Sequence, residues 1–144
     1  MDKFNVGISN FTKDEIESDD RYNTYKLTVP IKIFEDVLID EDLDEFYLNI
    51  NRKVSLADII DKINEYLNWF QNCEQELKQY YEMQLKEDVD DSWFNELEVY
   101  SADITFNSLE DYGATISCGD NILVDHILEF DFEKDQIVDI RMNG

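Results

Sequence analysis

Glycine and proline are scarce, at four and one in 144 residues, and neither occurs between Pro30 and Gly113. The long middle of the chain therefore lacks the usual chemical punctuation of turns and helix ends. Gly7 is isolated and Gly113 and Gly119 read as turn glycines, which leaves no Gly-rich loop to cradle a phosphate. Cys73 and Cys118, with one histidine in the chain, cannot supply the nitrogen and sulfur ligands of a structural zinc site, and read as buried free thiols. Lysine and arginine total 12 against 35 Asp and Glu, a formal charge of −23. Phosphate backbones and anionic bilayers are bound through Lys and Arg, so direct nucleic-acid binding and membrane binding are excluded. The partner that this field favours is a basic protein. No segment approaches the roughly 20 apolar residues of a membrane span. The start, MDKFNVGISNF, lacks the basic and apolar regions of a signal peptide, so the chain reads as cytoplasmic.

What is present describes a folded protein. Hydrophobic residues make up 43%, and nine Phe with eight Tyr supply large packing units, enough for a single domain over residues 1–144. The abundance of Ile and Asn beside few Ala suggests an AT-rich bacterial genome. That bias should also raise Lys, so the acidity stands apart from it.

The stretch SLADIIDKINEYLNWFQNCEQELKQYYEMQLK, Ser55 to Lys86, reads as one long amphipathic helix. Leu56, Ile59, Ile60, Ile63, Leu67, Phe70, Cys73, Leu77, Tyr80 and Tyr81 recur at spacings of three and four, which aligns them on one stripe. Ser55 with Asp58 three residues on marks the start. Such a helix is longer than a domain of this size is wide, and a bend or overhang is expected between Gln71 and Glu76, where apolar residues thin out. Tyr66, Trp69, Tyr80 and Tyr81 read as core, with Trp69 to one side of the stripe and able to sit on an interface.

The remaining segments read as strands and turns. Tyr25 to Phe34 alternates, with Pro30 marking an edge or bulge, and Phe46 to Asn51 is expected to pair with it as a hairpin-like unit. Glu96–Phe106, Tyr112–Cys118, Asn121–Phe132 and Gln136–Met142 have short turn-forming links, which predicts a four-strand antiparallel meander. Its apolar face carries Tyr100, Ala102, Ile104, Phe106, Tyr112, Ala114, Ile116, Cys118, Ile122, Val124, His126, Leu128, Phe130, Phe132, Val138, Ile140 and Met142. The expected fold class is α+β, with the helix covering that face.

The opposite face is expected to mix Asp103, Asp125, Glu129, Asp131 and Asp139 with Leu97, Val99, Leu123, Ile127 and Ile137. From Glu87 to Glu133 there are 14 acidic residues and no Lys or Arg, so the sheet concentrates negative charge around exposed aliphatics, the profile of a binding surface. The partner-binding candidates are Asp103, Asp125, Glu129 and Asp131, with Asp40, Asp42 and Asp44 as a second cluster. Catalytic signals are missing. His126 stands in register with Val124 and Leu128 and reads as a hydrogen-bonded core residue, and Ser101, Ser108 and Ser117 lie outside any nucleophile-elbow context. DEDLDE and EDVDD have the composition of calcium loops without the EF-hand spacing or glycine, which leaves at most a weak surface cation site. No cofactor is called for.

Trp93-Phe94, the following meander with Asp125-His126 ahead of FDFEKD, and the terminal Gly144 resemble the C-terminal part of small, acidic, uncharacterised bacterial domains. Some of these are encoded beside polymorphic or contact-dependent toxins and taken to be their immunity proteins. The likeness covers residues 93–144 and carries no catalytic signature. It implies a helix packed on an antiparallel sheet and a non-enzymatic, protein-binding role, and it transfers no functional residue. The leading expectation is an acidic protein that docks and neutralises a basic one, such as a nuclease toxin. A DNA mimic, with acids in phosphate-like rows, and a small carboxylate- or metal-dependent enzyme, with a displaced carboxylate pKa in a cleft, are the alternatives.

Overall fold

The computed structural model describes residues 4–143; the terminal Gly144 of the resemblance lies outside them. The chain runs β1 Phe11–Lys13, β2 Tyr22–Leu27, β3 Ile31–Ile33, β4 Asp36–Leu38, β5 Phe46–Asn51, α1 Leu56–Gln71, α2 Glu74–Leu85, β6 Glu98–Phe106, β7 Tyr112–Gly119, β8 Ile127–Glu133 and β9 Gln136–Asn143. Seven strands form one sheet in the order β1-β2-β5-β6-β7-β8-β9, while β3 and β4 make a separate two-stranded hairpin. All pairings are antiparallel except β5 with β6. The expected meander β6–β9 is there, but the N-terminal pair is fused to it through the parallel joint, so the sheet is mixed. The helices between β5 and β6 form the crossover that a parallel connection needs.

The expected strand Tyr25–Phe34 is broken. Pro30 stands between β2 and β3, where its missing N–H interrupts pairing. The hairpin then turns at Phe34, which has φ 59° and is fully buried. An aromatic residue in the left-handed region is strained unless packing holds it there. Phe34 lies against Phe70 of α1, Phe94, and Phe130 and Phe132 of β8, at centroid distances of 6.3, 5.7, 6.0 and 6.5 Å. The hairpin is thus pinned by its turn, which is driven into the middle of the core.

The long helix is two helices. Ser55 caps α1 by accepting from the Asp58 N–H at 3.1 Å, as its spacing predicts. The break falls at Asn72 and Cys73, within the expected bend. Asn72 Nδ2 donates to the Asn68 carbonyl at 2.8 Å and Cys73 Sγ to the Phe70 carbonyl at 3.3 Å, so side chains satisfy carbonyls freed at the end of α1. The stripe is otherwise as expected: Ile59, Ile63, Leu67, Phe70, Cys73, Leu77 and Tyr81 are buried. Burial pushes both cysteine thiols well above their ordinary pKa.

Two β-bulges reset the alternation. Val99 pairs with Cys118 and Ser101 with Ser117, which leaves Tyr100 as the extra residue. Asp131 pairs with Asp139 and Phe132 with Ile137, which leaves Val138 as the extra residue. Val99, Leu97 and Ile137 therefore turn into the core, while Tyr100 and Val138, expected inside, are exposed; Met142, in phase with the buried Ile140, is exposed near the end of β9. The expected strand Asn121–Phe132 starts only at Ile127, because the Asp120 carboxylate accepts from the N–H groups of Ile122 and Leu123 at 3.2 and 2.8 Å and folds that stretch into a loop. Val124 and His126 are in this loop and not on the apolar face; His126 is half-buried and its N–H donates to the Leu123 carbonyl. No helix among the described residues is long and apolar enough to cross a membrane.

Candidate functional site

The helices and the hairpin cover one face of the sheet and leave the other to solvent. Asp103, Glu129 and Asp131 are brought together on this uncovered face, with Asp103 opposite Thr115 and Thr115 opposite Asp131. Their surroundings are not the aliphatics that simple alternation predicts. Asn49 Nδ2 donates to Asp103 at 2.5 Å and to Thr105 Oγ1 at 3.2 Å, while Asn49 Oδ1 accepts from Thr24 at 2.6 Å. Thr115 donates to Asp131 at 2.8 Å. Arg141 of β9 forks onto Asp131 at 2.9 and 3.0 Å and reaches Glu129 at 2.9 Å. The basic-free run Glu87–Glu133 thus meets a cation from outside the run here, and three of the four candidate acids are engaged within the chain, Glu129 and Asp131 by Arg141 and Asp103 by Asn49. Asp103 is accessible but lies low on the sheet. The protein around it raises its carboxyl pKa by displacing water, and the Asn49 hydrogen bond opposes that rise.

The other candidates lie elsewhere. Asp125 is exposed in the loop after Asp120. Asp40, Asp42 and Asp44 are exposed on a 3₁₀ turn, Asp40–Glu45, that leads into β5. Lys26 donates to the Asp44 carbonyl and its ammonium lies 3.7 Å from the Tyr47 ring centroid.

A second acidic surface was not foreseen. Between the β3–β4 hairpin and the joined ends of β6 and β7 runs a groove of about 500 Å³. Its lining includes five carboxylates, Glu35, Asp36, Glu96, Glu98 and Asp120, and no Lys or Arg. Four of these acids are held by definite contacts. Asp36 accepts the Val99 N–H at 2.8 Å, tying the hairpin to the β6 bulge. Glu96 accepts from Ser92 and Asn121 at 2.8 and 2.6 Å. Asp120 is buried and accepts the Trp93 indole N–H at 2.9 Å, so it is a structural anchor at the floor. The Tyr81 phenol faces this carboxylate, and burial with that contact raises its pKa. Glu35 is joined to Lys32 at 3.2 Å.

Burial raises the Asp36 carboxyl pKa, and the nearby Asp42 and Glu98 charges add to the rise against the Val99 hydrogen bond. Asp42, from the second sequence-predicted cluster, therefore acts electrostatically on the groove. The bulge delivers Tyr100 to the same place, 48% exposed, with its ring laid over Gly119 so that a Cβ there would clash with the phenol oxygen. Val124, also lining the groove, is exposed. An exposed aromatic and an exposed aliphatic within a carboxylate rim can take a cationic, partly apolar segment. No group of three or more His, Cys, Asp or Glu among the described residues has the geometry to hold a metal ion. Comparison of the chain with protein-family models, with curated proteins and with solved structures gave no match.

Proposed function

We propose that the protein is a non-enzymatic binder that docks a basic protein in the groove lined by Asp36, Glu96, Glu98 and Tyr100. The observation that carries this reading is the gathering of five carboxylates, whose like charges repel, in a groove with no lining cation. A lysine or arginine side chain entering there would relieve that repulsion, and Tyr100 would face its charge while Val124 covers its aliphatic stem. The charge of −23 would steer such a partner before contact. Inhibition of a cationic toxin such as a nuclease, as the resemblance of residues 93–144 implies, is the most specific form of this proposal: the acids would occupy the Lys and Arg that otherwise hold phosphate. The DNA-mimic alternative has less to rest on, because Arg141 interrupts the acids of the uncovered face.

The test is capture of partners from the source cell's lysate on immobilised protein, eluted with rising salt, using wild type, Asp36→Asn/Glu98→Gln/Tyr100→Ala and, as a control, Asp103→Asn. Wild type and the control are expected to retain the same basic protein and release it at high salt, and the triple variant to lose it. Equal retention by the triple variant, or retention of acidic proteins alone, would reject the groove as the docking site.

A further inference from the structure

The seven-stranded sheet ends in β1 on one side and β9 on the other, and the two edges are finished differently. β1 is three residues long and ends on Lys13, and a short edge strand carrying lysine gives another chain little to pair with. β9, Gln136–Asn143, is eight residues long without proline or glycine. It carries Ile137, Val138, Ile140 and Met142, and its two charges, Asp139 and Arg141, cancel within a chain of net −23. An apolar edge strand without net charge is a template for a further strand.

Side chains of α2 close this edge. The Tyr80 hydroxyl donates to the Val138 carbonyl at 2.7 Å and Gln84 Nε2 to the Ile140 carbonyl at 3.0 Å. Gln84 Nε2 also donates to Asp139 Oδ1 at 3.3 Å, and that oxygen accepts the Ile140 N–H at 3.0 Å. In an antiparallel ladder successive residues turn their main-chain groups to alternate sides, which directs those of Ile140 away from β8, and the bulge frees the Val138 carbonyl on that same side. Main-chain groups that an added strand would use are therefore occupied from within the chain. The spacing makes this possible: Tyr80 and Gln84, four residues apart, are separated by about 6 Å along a helix, and Val138 and Ile140, two apart, by about 7 Å along a strand.

The order of residues in β9 identifies what the closure excludes. Paired antiparallel with the same strand of a second copy about a two-fold axis at Ile140, Asp139 falls opposite Arg141 and Val138 opposite Met142. The two Ile140 residues would exchange N–H and C=O, the groups now held by Asp139 and Gln84. We propose that Tyr80 and Gln84 are an edge lock that keeps β9 from pairing with β9 of a second copy, and so keeps the protein monomeric.

Sedimentation velocity at about 1 M salt, where charges more than roughly 3 Å apart are screened, compares wild type with Tyr80→Ala/Gln84→Ala, Gln84→Ala and Ser55→Ala. Wild type should sediment as one chain and the double variant as two. Gln84→Ala, at an exposed helix position that favours alanine, should shift partway. Ser55→Ala removes the α1 cap without touching β9 and should remain monomeric. Adding Met142→Lys to the double variant should restore the monomer, because it places a lysine in each half of the joint. A dimeric wild type, a monomeric double variant, equal association of Ser55→Ala, or a dimer that persists with Met142→Lys would overturn the proposal. Should the double variant lose its fold, as circular dichroism would show, Gln84→Ala decides alone, and a wholly monomeric Gln84→Ala overturns the proposal. Capture of a basic protein is independent of these results, because neither α2 nor β9 lines the acidic groove.

Discussion

Replacing Phe34 by alanine removes the ring that joins α1, β8 and the β3–β4 hairpin. Phe34 is fully buried among Phe70, Phe94, Phe130 and Phe132. Truncating such a residue costs about 3–5 kcal/mol, a large part of the roughly 5–15 kcal/mol that holds a domain together. The backbone makes the experiment sharper. Because φ is 59° at this position, an alanine keeps the left-handed strain while losing the packing that compensates for it. Glycine adopts that conformation without strain, so Phe34→Gly should be about 1 kcal/mol more stable than Phe34→Ala, the reverse of their usual order. Urea unfolding followed by far-UV circular dichroism gives both midpoints. With its wedge gone, the hairpin should also release the Val99 N–H from Asp36, which amide exchange at Val99 would report. A loss below about 1 kcal/mol for Phe34→Ala, or alanine more stable than glycine, would refute the reasoning.

Three further expectations concern the groove and the core. The raised pKa of Asp36 means that the folded state holds this proton more tightly than the unfolded chain, so stability falls as pH rises from the ordinary value of 3.8 through the higher folded one. Asp36→Asn keeps an oxygen for the Val99 N–H and removes the charge; its urea midpoint should match or exceed wild type at neutral pH, and the gain should shrink toward about pH 4. Asp120→Ala leaves the Trp93 indole and the Ile122 and Leu123 N–H groups without their acceptor and should cost about 2–3 kcal/mol by urea unfolding, with a shift in Trp93 emission. Cys73 and Cys118, buried with raised thiol pKa values, should ignore a thiol-reactive disulfide reagent at about pH 8 in the native state and react fully in denaturant, as an absorbance assay would record.

Periodicity carried the sequence reading where a residue's phase has one solution and misled where neighbouring residues are both apolar. The stripe from Ile59 to Tyr81 has polar residues between its members, so its buried face was legible, as was the Ser55 cap. Val99 and Tyr100 could each face the core, as could Ile137 and Val138, and only the bulges decide which does. The helix break rests on two side-chain bonds to backbone carbonyls, from Asn72 and Cys73, which no breaker residue announces. Asp103, Glu129 and Asp131 were correctly expected on one face, yet Arg141 belongs to that face too, and charge counting along the chain separated it from them. The acidic groove joins Asp36, Glu98 and Asp120, which are close only after the hairpin is wedged in by Phe34, whose left-handed turn has no sequence signal.

Zero-length carbodiimide cross-linking of the captured basic partner, read by mass spectrometry, tests the docking proposal most directly, because it joins partner lysines only to carboxylates they touch. The account predicts cross-links concentrated at Asp36, Asp42, Glu96 and Glu98. Cross-links concentrated at Asp103, Glu129 and Asp131, or spread evenly over the acids of the chain, would contradict it.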